Sequence, residues 1–199
     1  MTETKKNTPT ILAIILTVAV IFSACTSIFT AKAVYDLRVE AKAQKETQED
    51  GVVIMDQYEI VSTLPISDAY RSGSTNGLSE KDKETLELAS AVLKEIITED
   101  MTPYEKEKAV YDWMAKELSY DTGALQVVPQ TSADCDNPYG TLKYHNAVCV
   151  GYATTFRLFM QMLDIPCMVV HNTERYHSWN LVQIEGNWYH VDIYSDQGV

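Results

Sequence analysis

His177-Ser-Trp-Asn-Leu-Val-Gln-Ile-Glu-Gly-Asn-Trp-Tyr-His-Val-Asp-Ile-Tyr194 holds two strand-like runs, His177 to Ile184 and Asn187 to Tyr194. Both are rich in β-branched and aromatic residues, and Glu185-Gly186 between them is a hairpin turn signal. With those two residues at the centre of the turn, Ile184 pairs with Asn187, so His177 faces Tyr194 and Trp179 faces Asp192. Parity then puts His177 and Asp192 on one face, one pair apart on neighbouring strands, a diagonal of roughly 7 Å at the backbone. Val182, Ile184, Tyr189, Val191 and Ile193 take the opposite face and form a credible core. A carboxylate so placed can hold one imidazole nitrogen while the other serves a nucleophile.

Working back from the hairpin, Pro166 to His171 is a third strand-like run. A helix is expected from about Cys149 to Leu163. Tyr152, Ala153, Phe156, Phe159, Met160 and Leu163 recur at helical spacing, and Leu158 and Met162 add apolar surface elsewhere, so this helix should be buried on most sides. It stops before Pro166. Earlier still, Leu86, Ala89, Leu93, Ile96 and Ile97 mark a helix with Ser79 as its N-cap. Thr102-Pro-Tyr-Glu105 reads as a capping box with Pro at the first helical position, opening a helix with Val110, Trp113, Met114 and Leu118 on one stripe. Tyr120 to Tyr144 has little periodicity and reads as a long loop. Helices followed by antiparallel strands define an α+β class.

Cys149 falls at the expected amino end of its helix. Unpaired backbone N–H groups and the macrodipole favour an anion there, so the thiol is expected to be more acidic than a free one, and the thiolate is the nucleophile. Taken alone, a cysteine on an apolar helix is as readily a buried packing residue.

Three motifs add to this reading. Asn137-Pro-Tyr-Gly-Thr-Leu142 followed by Ala147-Val-Cys-Val-Gly-Tyr-Ala153 resembles the cysteine-bearing segment of the bacterial transglutaminase-like superfamily. His177-Ser-Trp-Asn180 resembles its histidine motif, and Trp188-Tyr-His-Val-Asp192 resembles the strand that delivers its aspartate. The likeness covers roughly residues 80–196, with the motifs in the family's order. It implies a papain-like α+β fold with a triad of Cys149 as nucleophile, His177 as general base and acid, and Asp192 as the residue that orients the imidazole. The implied chemistry is attack on an amide carbonyl, a thioester, and transfer to water or an amine, without a cofactor. The backbone N–H of Cys149 would serve the oxyanion, and Tyr144 is a candidate second donor. After Asp192 this sequence reads Ile193-Tyr194-Ser195-Asp196, where the family commonly has Val-Thr-Trp-Asp and further strands. A truncated chain or a minimal domain with an exposed edge strand is the expectation.

Other polar residues fit plainer roles. Cys135, His145, Cys149, His171 and His177 lack the short spacings of zinc sites, so no metal is expected. Cys167 reads as a strand residue, and Cys135 as a loop residue near the site. Trp179 and Trp188 share the His177 face with His190; Trp179 is a candidate cleft wall. Gly-rich phosphate loops and Gly-x-Ser-x-Gly elbows are absent, which removes support for nucleotide-dependent and serine-hydrolase chemistry.

The chain has 199 residues and a net charge of −12, which argues against nucleic acid or anionic lipid as a surface partner. Its apolar share of 46% is that of a globular protein. Residues 10–31 run 22 positions without a charge, enough to span a hydrocarbon core, with Lys5 and Lys6 ahead of them. The length favours an uncleaved signal anchor over a lipoprotein signal cut at Cys25, and either tether puts the remainder outside the membrane. Residues 32–78 are expected to be a stalk and linker, and residues 79–199 the catalytic domain. The whole reads as a bacterial, membrane-tethered, extracytoplasmic cysteine enzyme acting on peptide or protein amides, by hydrolysis or cross-linking. The alternative is an inactive module that keeps the fold and binds peptide or cell-wall polymer.

Overall fold

The computed structural model describes residues 52–54, 58–125 and 131–197. The expected membrane segment 10–31, Cys25 and the stalk residues 32–50 lie outside them. Among the described residues no helix is long and apolar enough to cross a membrane. Helices α1 (Leu64–Ser72), α2 (Glu80–Ile96), α3 (Pro103–Glu117), α4 (Pro138–Tyr144) and α5 (Cys149–Met162) precede an antiparallel sheet of β5 (Cys167–Asn172), β6 (His177–Ile184) and β7 (Asn187–Val191). A two-stranded pair joins β1 (Val52–Ile54) to β2 (Tyr58–Ile60), and a short parallel pair joins β3 (Ser119–Tyr120) to β4 (Asn146–Ala147). A last short helix, α6, spans Ile193–Asp196.

The helix boundaries follow from local hydrogen bonding. Ser79 accepts from the backbone N–H of Asp82, and Thr102 and Glu105 form a reciprocal capping box at the start of α3. Helix α5 is the centre of the core: Phe156, Leu158, Phe159 and Met160 have no exposed surface. Burying two phenylalanines completely is worth several kcal/mol, so this helix fixes the positions of everything packed on it. Gly151 permits a close approach, since a Cβ built there would lie 2.2 Å from the carbonyl oxygen of Cys135.

The hairpin turns on Glu185 and Gly186, whose φ angles of 51° and 81° are those of a two-residue type I′ turn. Ile184 pairs with Asn187 and Asn180 with Val191. On β6, Ser178, Asn180, Val182 and Ile184 are buried against the core, while His177, Trp179, Leu181 and Gln183 lie on the more open face. Two buried polar residues are satisfied there. Asn180 Nδ2 donates to the carbonyl of Ala153 at 2.9 Å, and Ser178 Oγ lies 2.8 Å from His171 Nδ1.

Four expectations need correction. Residues 64–72, expected to be linker, form α1, with Ile66 and Ala69 in the core and Arg71 donating to the carbonyl of Gln161 at 2.9 Å. Pro65 sits in the first turn of that helix, where its missing N–H costs nothing, and Gly73 ends it at φ 69°. The stretch 120–144 is not all loop: Asn137 caps α4 through the N–H of Gly140, with Pro138 at the first helical position. Strand β7 stops at Val191, and Asp192 leaves the sheet to cap α6 by accepting from the N–H of Ser195 at 3.3 Å. Tyr189, expected in the core, stands on the edge strand and is exposed.

Candidate active site

Helix α5 delivers Cys149 in its first turn, with Val148 as N-cap. Strand β6 delivers His177 as its first residue, and Asp192 follows the last residue of β7. His177 Nε2 lies 2.7 Å from Asp192 Oδ2. A carboxylate only accepts, so Nε2 carries the proton and Nδ1 of the neutral ring is the acceptor. The departure of Asp192 from the strand does not separate the pair, because the capping turn of α6 keeps its carboxylate over the hairpin. Ser195 Oγ is 3.5 Å from the same ring nitrogen.

The sulfur of Cys149 lies against the start of β6, with Sγ 3.9 Å from the carbonyl of Tyr176, the residue before His177. Tyr176 itself has a left-handed φ of 50°. Burial pushes the Cys149 thiol up, and the nearby Asp192 charge adds to this; the backbone N–H groups of Ser178 and Val150 work the other way. The expectation of a thiol made acidic by the helix terminus is therefore corrected. Taking the sulfur out of water outweighs the backbone N–H groups that favour the thiolate. Cys149 is only 9% exposed.

Trp179 stacks on His177, with ring centroids 5.7 Å apart and an interplanar angle of 18°. Its indole N–H donates to His190 Nδ1 at 2.8 Å, which fixes the indole as a wall beside the imidazole. The tyrosines packed on the buried cluster of Cys135, Val148, Cys149 and Val150 are Tyr58, Tyr120 and Tyr194. Tyr120 and Tyr194 stack with centroids 4.0 Å apart. Tyr144 is not among them. It is 54% exposed at the end of α4, with its ring beside Lys143, so its candidacy as an oxyanion donor has no geometric support. The three tyrosines come from β2, β3 and α6, so no sequence spacing could group them. Cys135 and Cys167 are free thiols; burial pushes Cys135 up to about 11 and Cys167 to about 12.

An α+β core with a Cys-bearing helix start, a His-bearing strand and an Asp held on that His defines the class of papain-like cysteine folds. The family model of the transglutaminase-like superfamily matches residues 90–193, and the chain belongs to that superfamily. It is 25% identical over 115 residues to the kyphoscoliosis peptidase of Homo sapiens and 24% identical over 115 residues to that of Mus musculus. Each match covers 51% of this chain and 17% of the relative, so the chain spans about a sixth of their length. A crystal structure of a TGase matches with a TM-score of 0.44 at 19% identity, covering 64% of this chain and 36% of that one.

Proposed function

We propose that this protein is a cysteine-dependent acyl-transfer enzyme acting on peptide or protein amides. The observation that carries the reading is the Asp192–His177 pair at the edge of the sheet beside the first turn of the Cys149 helix. Nδ1 of His177 takes the thiol proton as Cys149 attacks the amide carbon, and the pair is stabilised by Asp192 as the imidazole becomes charged. The imidazolium then returns that proton to the leaving amine, which leaves a thioester on Cys149. Water or a second amine resolves it. The backbone N–H of Cys149 at the helix terminus is the donor offered to the oxyanion. Peptidase-type hydrolysis is the preferred outcome, in keeping with the name peptidase carried by the human and mouse relatives.

The reading includes an extracytoplasmic location. Residues 10–31 serve as a membrane anchor, or Cys25 as a lipidation site, with the acidic remainder outside. A second reading, a non-catalytic module that binds peptide or wall polymer, is favoured by the burial of the Cys149 thiol. Alkylation of Cys149 as a function of pH separates the two, measured on the whole chain with Cys149→Ser as blank. Labelling between pH 6 and 8 that slows in His177→Ala supports the enzyme, and amine incorporation against amide hydrolysis then assigns the acceptor. A rate that follows an ordinary thiol and ignores His177 supports the binding module.

A further inference from the structure

On the other side of the hairpin, a cavity of about 550 Å³ opens between α3 and strands β6 and β7. Val182, Ile184 and Val191 supply apolar walls, and Tyr104 and Tyr189 stand at it, 56% and 51% exposed. The carboxyl of Glu107, from the middle of α3, belongs to the same lining although the residue is only 9% exposed. Among the described residues no donor hydrogen-bonds that carboxyl and no Lys or Arg nitrogen lies within 4.0 Å of it; its neighbour Lys108 is committed to Asp112. Its oxygens open to the cavity rather than being sealed in the core, so with no partner from the described residues the carboxyl is left to a group placed in the cavity. Burial and the charge of Asp112 push it up, which is the direction that a cation placed in the cavity would reverse.

The shape of the vacancy specifies that cation. A metal ion would waste the apolar walls, whereas a lysine side chain sets its aliphatic stem on Val182, Ile184 and Val191 and its compact ammonium on the single carboxyl of Glu107. A planar guanidinium on a shorter stem would need a wider set of acceptors. Tyr104 and Tyr189 line the same cavity and add aromatic surface to it. The cavity also runs beside β7, which ends the sheet among the described residues. Asn187-Trp-Tyr-His-Val191 has no Lys, Pro or acidic residue to blunt that edge, so an extended peptide can add to it. A net charge of −12 draws a basic segment to the surface.

We propose that the cavity between α3 and the β6–β7 hairpin binds a lysine side chain carried on an extended peptide, with its ammonium on Glu107 and its stem on the valine and isoleucine walls. This site lies on the core side of the hairpin, opposite the face of His177, and does not depend on the catalytic reading. It gives the protein a means of holding a basic partner or substrate at a distance from Cys149.

The test is fluorescence anisotropy of fluorescein-Thr-Val-Lys-Val-Thr-amide on the whole chain carrying Cys149→Ser, which removes turnover. The norleucine counterpart is the control. Saturable binding of the lysine peptide, about tenfold weaker for norleucine, is expected. Glu107→Gln should abolish that difference while the thermal midpoint stays level or rises, since the carboxyl has no partner among the described residues to lose. Tyr189→Ala, at an exposed position, should weaken the lysine peptide without unfolding the chain. Equal binding of the two peptides, or a lysine-peptide affinity that neither variant changes, overturns the proposal. Displacement by free butylamine at the peptide's own concentration overturns its peptide part.

Discussion

Asn180, three residues after His177, donates its side-chain amide to the carbonyl of Ala153, four residues after Cys149, at 2.9 Å. The bond ties β6 to α5 one helical turn from Cys149, and Asn180 also reaches the carbonyl of Met168 at 3.3 Å. It therefore helps set the spacing between the strand with His177 and the helix with Cys149. Replacing it with alanine should cost about 1–3 kcal/mol, chiefly through the buried carbonyl of Ala153 that loses its donor. Because the loss acts on spacing, His177-dependent alkylation of Cys149 should fall in the folded Asn180→Ala variant by more than its reduced stability explains. Denaturant titration beside labelling kinetics measures both.

The Asp192–His177 contact fixes a tautomer, so on the proposed function its loss should damage acyl transfer without damaging the fold. In Asp192→Asn an amide replaces the carboxylate, and either ring nitrogen can then carry the proton. The rate of acyl transfer is expected to fall by a factor of about 100 or more. The thermal midpoint should change little, since Asp192 and His177 are both only partly buried. Equal rates in Asp192→Asn and the native chain would remove Asp192 from the site.

The hairpin was legible because a two-residue turn leaves one register, and Glu185-Gly186 adopts it with both φ angles positive. The α5 stripe was legible because burial on every side removes polar residues from Val150 to Met162 except the threonine pair and a solitary arginine and glutamine. Asn137-Pro138 carried a readable helix start that the surrounding Gly, Asp and Asn obscured. Helix α1 was not legible: nine residues with two core positions look like a linker until Thr63 and Arg157 bond to each other at 3.1 Å. The tyrosine cover of Cys149 was beyond any local pattern, since Tyr58, Tyr120 and Tyr194 meet only through tertiary packing. The expectation for the thiol failed for the same reason. A helix terminus is visible in sequence, but the burial that outweighs it is not.

That burial makes stability depend on alkaline pH. Cys149, Cys135 and Cys167 are all pushed above the ordinary thiol value in the folded chain, the latter two to about 11 and about 12. In the unfolded chain each loses its proton near 8.5. Above that pH the folded state binds more protons than the unfolded state, so stability falls as pH rises. The loss should begin near pH 8.5, before the tyrosines titrate, and be absent between pH 6 and 8. A Cys135→Ala/Cys167→Ala variant should show a shallower decline between pH 8.5 and 10 than the native chain. Urea midpoints at closely spaced pH values read the slope directly.

Gly151→Ala tests the packing of the cysteine segment against α5. In an ordinary helix interior the change would stabilise by roughly 0.5–1 kcal/mol, because glycine loses more entropy on folding. Here the new methyl would meet the carbonyl oxygen of Cys135 at 2.2 Å and the hydroxyl of Thr141 at 2.8 Å. That carbonyl accepts from the N–H of Val148 at 3.0 Å, and Val148 is the N-cap of the Cys149 helix. The clash therefore pushes on the backbone that holds Cys149, and overpacking of this kind costs about 1–3 kcal/mol. Packing exceeds propensity, so the sign should be destabilising, with alkylation of Cys149 altered as well. A Gly151→Ala variant more stable than the native chain would mean that the Cys135 segment does not rest on α5 as described.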